Sequence, residues 1–191
     1  MNRSPSQTRF DPMERPSFQT LLQGLPVLGR SGDWTAKITG LVTDSRRILP
    51  GSLFFALPGL RSDGHEYLDD VIARGAAAVI SARPVTGLPA VAAAQVVDPR
   101  KVLAEVARRF HGHPETALQL VGVTGTNGKT TVTSLLRHLL QTDGSQWGLV
   151  GTVRYHLGRR SIPSYKTTPE SADLAAFFRQ MADAECAGAC L

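Results

Sequence analysis

At 191 residues, with 42% hydrophobic and 19% charged side chains, the chain is long enough for one ordinary domain or two small ones and too apolar to remain disordered. No apolar run is long enough to span a bilayer, and residues 1–16 are polar, with Arg3, Arg9 and Arg15 and no signal-peptide core, so a cytoplasmic protein without a membrane partner is expected. The formal charge of +5 is scattered, densest at Arg46 and Arg47, Arg108 and Arg109, and Arg159 and Arg160, without interleaved aromatics; this argues against nucleic acid and leaves a small polyanion open.

A polar arm and a short helix are expected over 1–30. The helix covers Phe18–Leu22 and is broken by Gly24, Pro26 and Gly29. Strands are read at 38–43, at 53–57 after the turn pair Pro50 and Gly51, at 77–81, and at Val96 and Val97. Leu68, Val71 and Ile72 share one helical face, closed by Gly75. Asp98 and Pro99 open another helix, with Val102, Leu103, Val106 and Phe110 at helical spacing. Residues 111–115 end that pattern and mark a boundary, giving a first domain at 31–112 and a second at 113–191.

The second domain begins as strand, loop and helix. Residues 118–123 are apolar enough for a central parallel strand, and 124–128 form the loop. Val132, Leu135, Leu136, Leu139 and Leu140 then recur at i, i+3, i+4, i+7 and i+8, which predicts one buried helix face. A strand at 147–153 and a helix at 174–181 follow, and Leu191 lies in the next strand. The fold class is α/β: a small N-terminal α/β domain, then the start of a phosphate-loop domain built on a parallel sheet. Two or three parallel strands are too few to bury both faces, so the second domain is expected to be truncated.

The strongest chemical signal is Gly125-Thr126-Asn127-Gly128-Lys129-Thr130-Thr131 between that strand and helix. A glycine-rich turn at a helix N-terminus lets backbone N–H groups surround phosphate oxygens, assisted by the helix dipole. Lys129 is placed to reach the β- and γ-phosphates of ATP as the catalytic cation, and the Thr130 hydroxyl to bind Mg²⁺. The pattern departs from G-x-x-x-x-G-K-[ST] in one place, because Val123 stands where the first glycine belongs and glycines sit at 122 and 125.

The run Val-Thr-Gly-Thr-Asn-Gly-Lys-Thr-Thr at 123–131 resembles the nucleotide loop of Mur ligases and of folylpolyglutamate synthetases. Thr43-Asp-Ser-Arg46, followed by the runs at 50–56 and 59–64, is similar to the N-terminal UDP-binding domain of Mur ligases, which the folate enzymes lack. Tyr-Lys-Thr-Thr-Pro-Glu at 165–170 resembles the substrate loop of the E-type ligase, which adds the third residue of the peptide stem. The resemblance implies that Thr43 and Ser45 contact the uridine diphosphate, that Arg46 partners its phosphates, that Arg61 gives a second contact, and that Thr167 and Thr168 hold the muramoyl-peptide end. It implies an ATP-dependent ligation of a diamino acid, diaminopimelate or lysine, to UDP-MurNAc-L-Ala-D-Glu through an acyl phosphate. Positioning and charge neutralisation would then supply most of the rate.

It also implies that the magnesium-binding glutamate, the modified lysine and the amino-acid-binding domain of the family lie beyond Leu191. These residues alone are therefore expected to be inactive: a truncated product, a fragmentary gene product, or one piece of a split enzyme whose partner is a separate chain carrying the C-terminal half. Two other readings stay open, a non-catalytic UDP-muramoyl-peptide-binding module and an unrelated phosphate-loop NTPase. Cys186 and Cys190, His111 and His113, and His65 are read as structural or surface residues.

Overall fold

The computed structural model describes residues 15–59, 63–85, 91–141 and 144–191. The chain divides into two compact units, Met1–Pro99 and Arg100–Leu191. Each is built on its own five-stranded sheet.

In the first unit, helix α1 covers Phe18–Leu22, and the Ser17 hydroxyl caps it by accepting the Thr20 N–H. Strands β1 (Gly29–Ser31), β2 (Gly40–Val42), β3 (Ser52–Ala56), β4 (Ala78–Ser81) and β5 (Ala92–Gln95) form a sheet in the order β1-β5-β4-β3-β2. β2 to β5 run parallel and β1 closes the edge antiparallel to β5. β3 and β4 are buried along their whole length, as the continuous run Ser-Leu-Phe-Phe-Ala requires of an inner parallel strand. Successive side chains alternate between two cores. Phe54, Ala56, Val79 and Ala93 pack with Leu68 and Val71 of helix α2 (Leu68–Ala73), while Leu53, Phe55, Ile80 and Ala94 are buried on the opposite face.

One reading of this half needs correction, and one strand had no expectation to match it. The strand expected at Val96 and Val97 lies earlier, at β5, and Val97 is 74% exposed; three consecutive alanines concealed a strand whose thin side chains suit a tightly covered sheet. The short edge strand β1 carried no alternating apolar signal in Gly-Arg-Ser.

In the second unit, helix α3 (Pro99–Phe110) precedes a 3-10 turn at Pro114–Ala117. Strands β6 (Gln119–Val121), β7 (Trp147–Val150), β8 (Arg154–His156), β9 (Ser161–Pro163) and β10 (Gly188–Cys190) take the order β6-β10-β7-β8-β9. β6, β10 and β7 are parallel, and β8 and β9 extend the sheet as an antiparallel hairpin. Helix α4 (Lys129–Leu140) joins β6 to β7, and α5 (Ser171–Asp183) leads from β9 to β10. Leu136 and Leu140 of α4 pack on Trp147, Leu149 and Cys190, whereas Phe177 and Met181 of α5 pack on Val150, Tyr155 and Ala189. Alternation along β7 and β10 therefore puts the two helices on opposite faces. Where β10 passes between its neighbours, a Cβ on Gly188 would meet the Gln119 carbonyl oxygen and the Trp147 ring.

Here too the sequence misled twice. β6 is an edge strand among the described residues, paired only with β10, and its Gln119 and Leu120 are exposed. The apolar stripe of α4 is split. Leu136 and Leu140 meet the sheet, while Val132, Leu135 and Leu139 are 43%, 56% and 54% exposed. Helical spacing says which residues share a face but not what covers it. The residue α4 buries in its first turns is Thr133, whose hydroxyl bonds back to the carbonyls of Lys129 and Thr130.

Candidate functional site

Parallel strands place their carboxyl ends on one edge of a sheet, where open α/β proteins bind ligands. In the second unit β6 leads at that edge into the 124–128 loop. Gly125 has φ +144° and Gly128 φ +78°, conformations that a side chain disfavours. Gly128 is the N-cap of α4 and has no side chain to cap it, and the first main-chain bond of the helix runs from Val132 N–H to the Gly128 carbonyl. The first-turn N–H groups of Lys129, Thr130 and Thr131 thus have no intrahelical acceptor and point toward the loop side. Lys129 Nζ donates to the Gly125 carbonyl at 2.6 Å. A Cβ at Gly125 would meet only the Asn127 carbonyl oxygen at 3.7 Å, so it is the positive φ, not crowding, that calls for glycine there.

Two more segments reach the same edge. Thr152, just after β7, accepts from the Thr130 hydroxyl at 3.3 Å. β9 runs parallel to β7, because two antiparallel pairings separate them, so residues 164–170 also emerge there. Ser164 N–H bonds the Val153 carbonyl at 3.1 Å and ties that segment to the β7–β8 connection. Thr167 and Thr168 are exposed, Pro169 is buried, and Glu170 is the N-cap of α5, paired with Lys166 at 3.6 Å and Arg100 at 3.5 Å.

In the first unit the corresponding edge carries Thr43-Asp44-Ser45-Arg46 after β2. Asp44 caps the 3-10 turn Ser45–Arg47 by accepting the Arg46 N–H, and its carboxylate also holds the Arg46 guanidinium in two bonds of 2.9 and 2.7 Å. That side-chain bond pulls the Asp44 pKa down to about 2. Thr43 and Ser45 are half-buried, and the Arg46 side chain is 83% exposed. Arg61 lies outside the described residues. The loop after β4 approaches from the other side. His65 Nδ1 meets the buried Ser81 hydroxyl at 3.0 Å, Ser81 accepts the Arg83 N–H, and Arg83 pairs with Asp63 at 2.6 Å. His65 is thus tied into this edge and is not a free surface histidine. Its link to Ser81, like that of Thr130 to Thr152, joins residues far apart in sequence and left no local trace.

Among the described residues no three His, Cys, Asp or Glu side chains are grouped to hold a metal ion. The Thr130 and Thr152 hydroxyls are hard oxygen donors beside the phosphate loop, which fits a Mg²⁺ brought with a nucleotide and completed by phosphate and water oxygens. Cys186 and Cys190 are free and buried, and burial raises both thiols above their usual range. Among the described residues, no helix is long and apolar enough to cross a membrane.

Residues 37–111 match the "Mur ligase family, catalytic domain" model and residues 123–191 the "Mur ligase middle domain" model, so the chain belongs to the Mur ligase family. It is 44% identical over 165 residues to the UDP-N-acetylmuramoyl-L-alanyl-D-glutamate–2,6-diaminopimelate ligase of Geobacillus kaustophilus, an alignment covering 86% of this chain and 33% of that protein. The chain spans about a third of the length of the curated relatives it matches. Its fold superimposes on a solved ligase of the same description with a TM-score of 0.67 and 23% identity, over 92% of this chain and 35% of that one. It also superimposes on the Thermotoga maritima MurF ligase in complex with ADP, with a TM-score of 0.53 and 23% identity, over 79% of this chain and 30% of that one.

Proposed function

We propose that these residues form the precursor- and nucleotide-binding part of a cytoplasmic, ATP-dependent ligase that joins a diamino acid to UDP-MurNAc-L-Ala-D-Glu in peptidoglycan precursor synthesis. The observation that carries the reading is the shared edge of the second sheet, where the 123–131 loop, Thr152 and the 164–170 loop emerge together. A nucleotide and a carboxylate substrate that must exchange a phosphoryl group need that convergence. The functional division falls at 112/113, supported by family matches that end at 111 and resume at 123.

Each residue has a stated part. Thr43 and Ser45 hold the uridine diphosphate, Arg46 partners its phosphates, and Arg61 gives a second contact with that moiety. Gly125, Thr126, Asn127, Gly128 and Thr131 cradle ATP with main-chain N–H groups. Lys129 exchanges the neutral Gly125 carbonyl for the β- and γ-phosphate oxygens, and Thr130 offers its hydroxyl to Mg²⁺. When bound, Mg²⁺ supplies charge neutralisation on those oxygens. Thr167 and Thr168 orient the peptide end, so that a carboxylate oxygen attacks the γ-phosphorus in line as the bond to the β–γ bridging oxygen breaks and ADP leaves. The incoming amine then attacks the acyl phosphate carbonyl, losing a proton and displacing inorganic phosphate.

The test is calorimetric titration of the folded protein with UDP-MurNAc-L-Ala-D-Glu and, separately, with a non-hydrolysable ATP analogue and Mg²⁺. Saturable binding of both is expected. Absence of precursor binding by a folded sample refutes the substrate assignment.

A further inference from the structure

We propose that Tyr155 is a positioning residue for the muramoyl-peptide loop, an inference that rests on the reading of Thr167 and Thr168 given above. Tyr155 lies on β8, is 0% exposed, and packs its ring against Phe177 at 4.9 Å and edge-on against Tyr165 at 5.4 Å. A phenylalanine would satisfy all of that packing. The hydroxyl does something else: it accepts the Lys166 N–H at 3.0 Å and donates to the Lys166 carbonyl. Ser164 Oγ donates to the same carbonyl at 3.0 Å.

One buried side chain thus fixes both polar groups of a single residue in a segment without helix or strand structure. The next two residues are the exposed Thr167 and Thr168, and the one after them is the buried Pro169. The two threonines are therefore held between two buried anchors, Tyr155 through Lys166 on one side and Pro169 on the other. Since the loop has no regular hydrogen-bond ladder, these anchors set where the threonine hydroxyls point before any ligand arrives. Pre-set donors raise affinity by removing the ordering cost from binding. Tyr155 touches no substrate; it acts through the main chain of its neighbour in space.

The test compares Tyr155→Phe with the wild type in two measurements. Hydrogen exchange of the Lys166 amide should quicken about ten-fold, with the α5 and β7 amides unchanged, as the loss of the Tyr155 hydroxyl's bonds to that residue implies. Affinity for UDP-MurNAc-L-Ala-D-Glu should fall about ten-fold, while affinity for the non-hydrolysable ATP analogue with Mg²⁺ stays the same, which also shows that the variant is folded. In a Thr167→Val, Thr168→Val background, Tyr155→Phe should cost no further affinity, because its effect passes through those hydroxyls. Unchanged exchange, or faster exchange with unchanged precursor affinity, overturns the positioning role. A wild-type protein that binds no precursor is a different failure: it removes the functional reading, and the role of Tyr155 falls with it.

Discussion

Arg46 in the first unit and Lys129 in the second each follow a parallel strand at its carboxyl end, yet their charges are held in opposite ways. Arg46 is engaged by the carboxylate of Asp44, so much of its charge is spent on shaping its own turn. Lys129 rests on the Gly125 carbonyl, a neutral acceptor, and keeps its full charge. The same topological position therefore yields a loop that is electrostatically satisfied and one that awaits an anion. Under the function proposed above, a diphosphate would have to share Arg46 with Asp44, whereas a triphosphate would meet Lys129 without a competing carboxylate.

The largest expected effect probes the second loop. Lys129→Ala should weaken the ATP analogue about 100-fold in calorimetry, because a charge-assisted bond to phosphate is lost. Arg46→Ala should weaken UDP-MurNAc-L-Ala-D-Glu by only about three-fold, since its partner already competes for the guanidinium. Equal losses in the two variants would break the contrast.

The next test reads the ion pair directly. The Asp44 carboxyl, held at about 2 by Arg46, should move back toward its ordinary value in Arg46→Ala when followed by NMR titration. Because its folded pKa is lowered, whatever stability the pair contributes is complete above the ordinary carboxylate range and is lost as pH falls through about 2. A midpoint unmoved by the substitution would assign the shift to another cause.

The smallest effect belongs to the second unit alone. Burial lowers the pKa of His111 and His156, with Arg179 beside the first and Arg137 and Arg154 near the second adding to it. The unfolded chain then binds more protons below about 6.5, so stability should decline as pH falls from there through the lowered values. Urea melts at pH 7.5 and 5.5 should show it, and His111→Gln should flatten the slope. An unchanged slope in that variant would remove His111 from the account.

Much of the frame was legible before any coordinates. α1, β3, β4, α3 and α5 lie at or close to the segments expected for them, 18–22, 53–57, 77–81, the helical spacing after Pro99, and 174–181. The hairpin of β8 and β9 was not expected, although Tyr155, Leu157 and Ile162 meet in one core and Gly158 turns the chain at φ +85°. Their alternation is too short to stand out from a loop. The site divided in the same way. The phosphate loop was readable because its chemistry is contiguous, whereas Thr152, Tyr155 and the His65 link to Ser81 act on residues 11 to 22 positions away, where only folding brings them together. The apolar stripe on α4 shows the limit from the other side. Its period was read correctly, and its burial was not, since the cover for Val132, Leu135 and Leu139 is no property of the helix itself.

Gly188 carries a consequence for how such a protein can vary. At the non-binding edge of the second sheet the constraint is one of volume: β10 runs so close to Gln119 and Trp147 that even one added methyl group has no place to go. At the carboxyl edge the constraint is one of direction: Gly125 and Gly128 hold φ of +144° and +78°, which side chains disfavour, and so set where the loop's backbone N–H groups aim. The same change of glycine to alanine is therefore resisted at both edges of one strand layer, by crowding at Gly188 and by backbone conformation at Gly125 and Gly128.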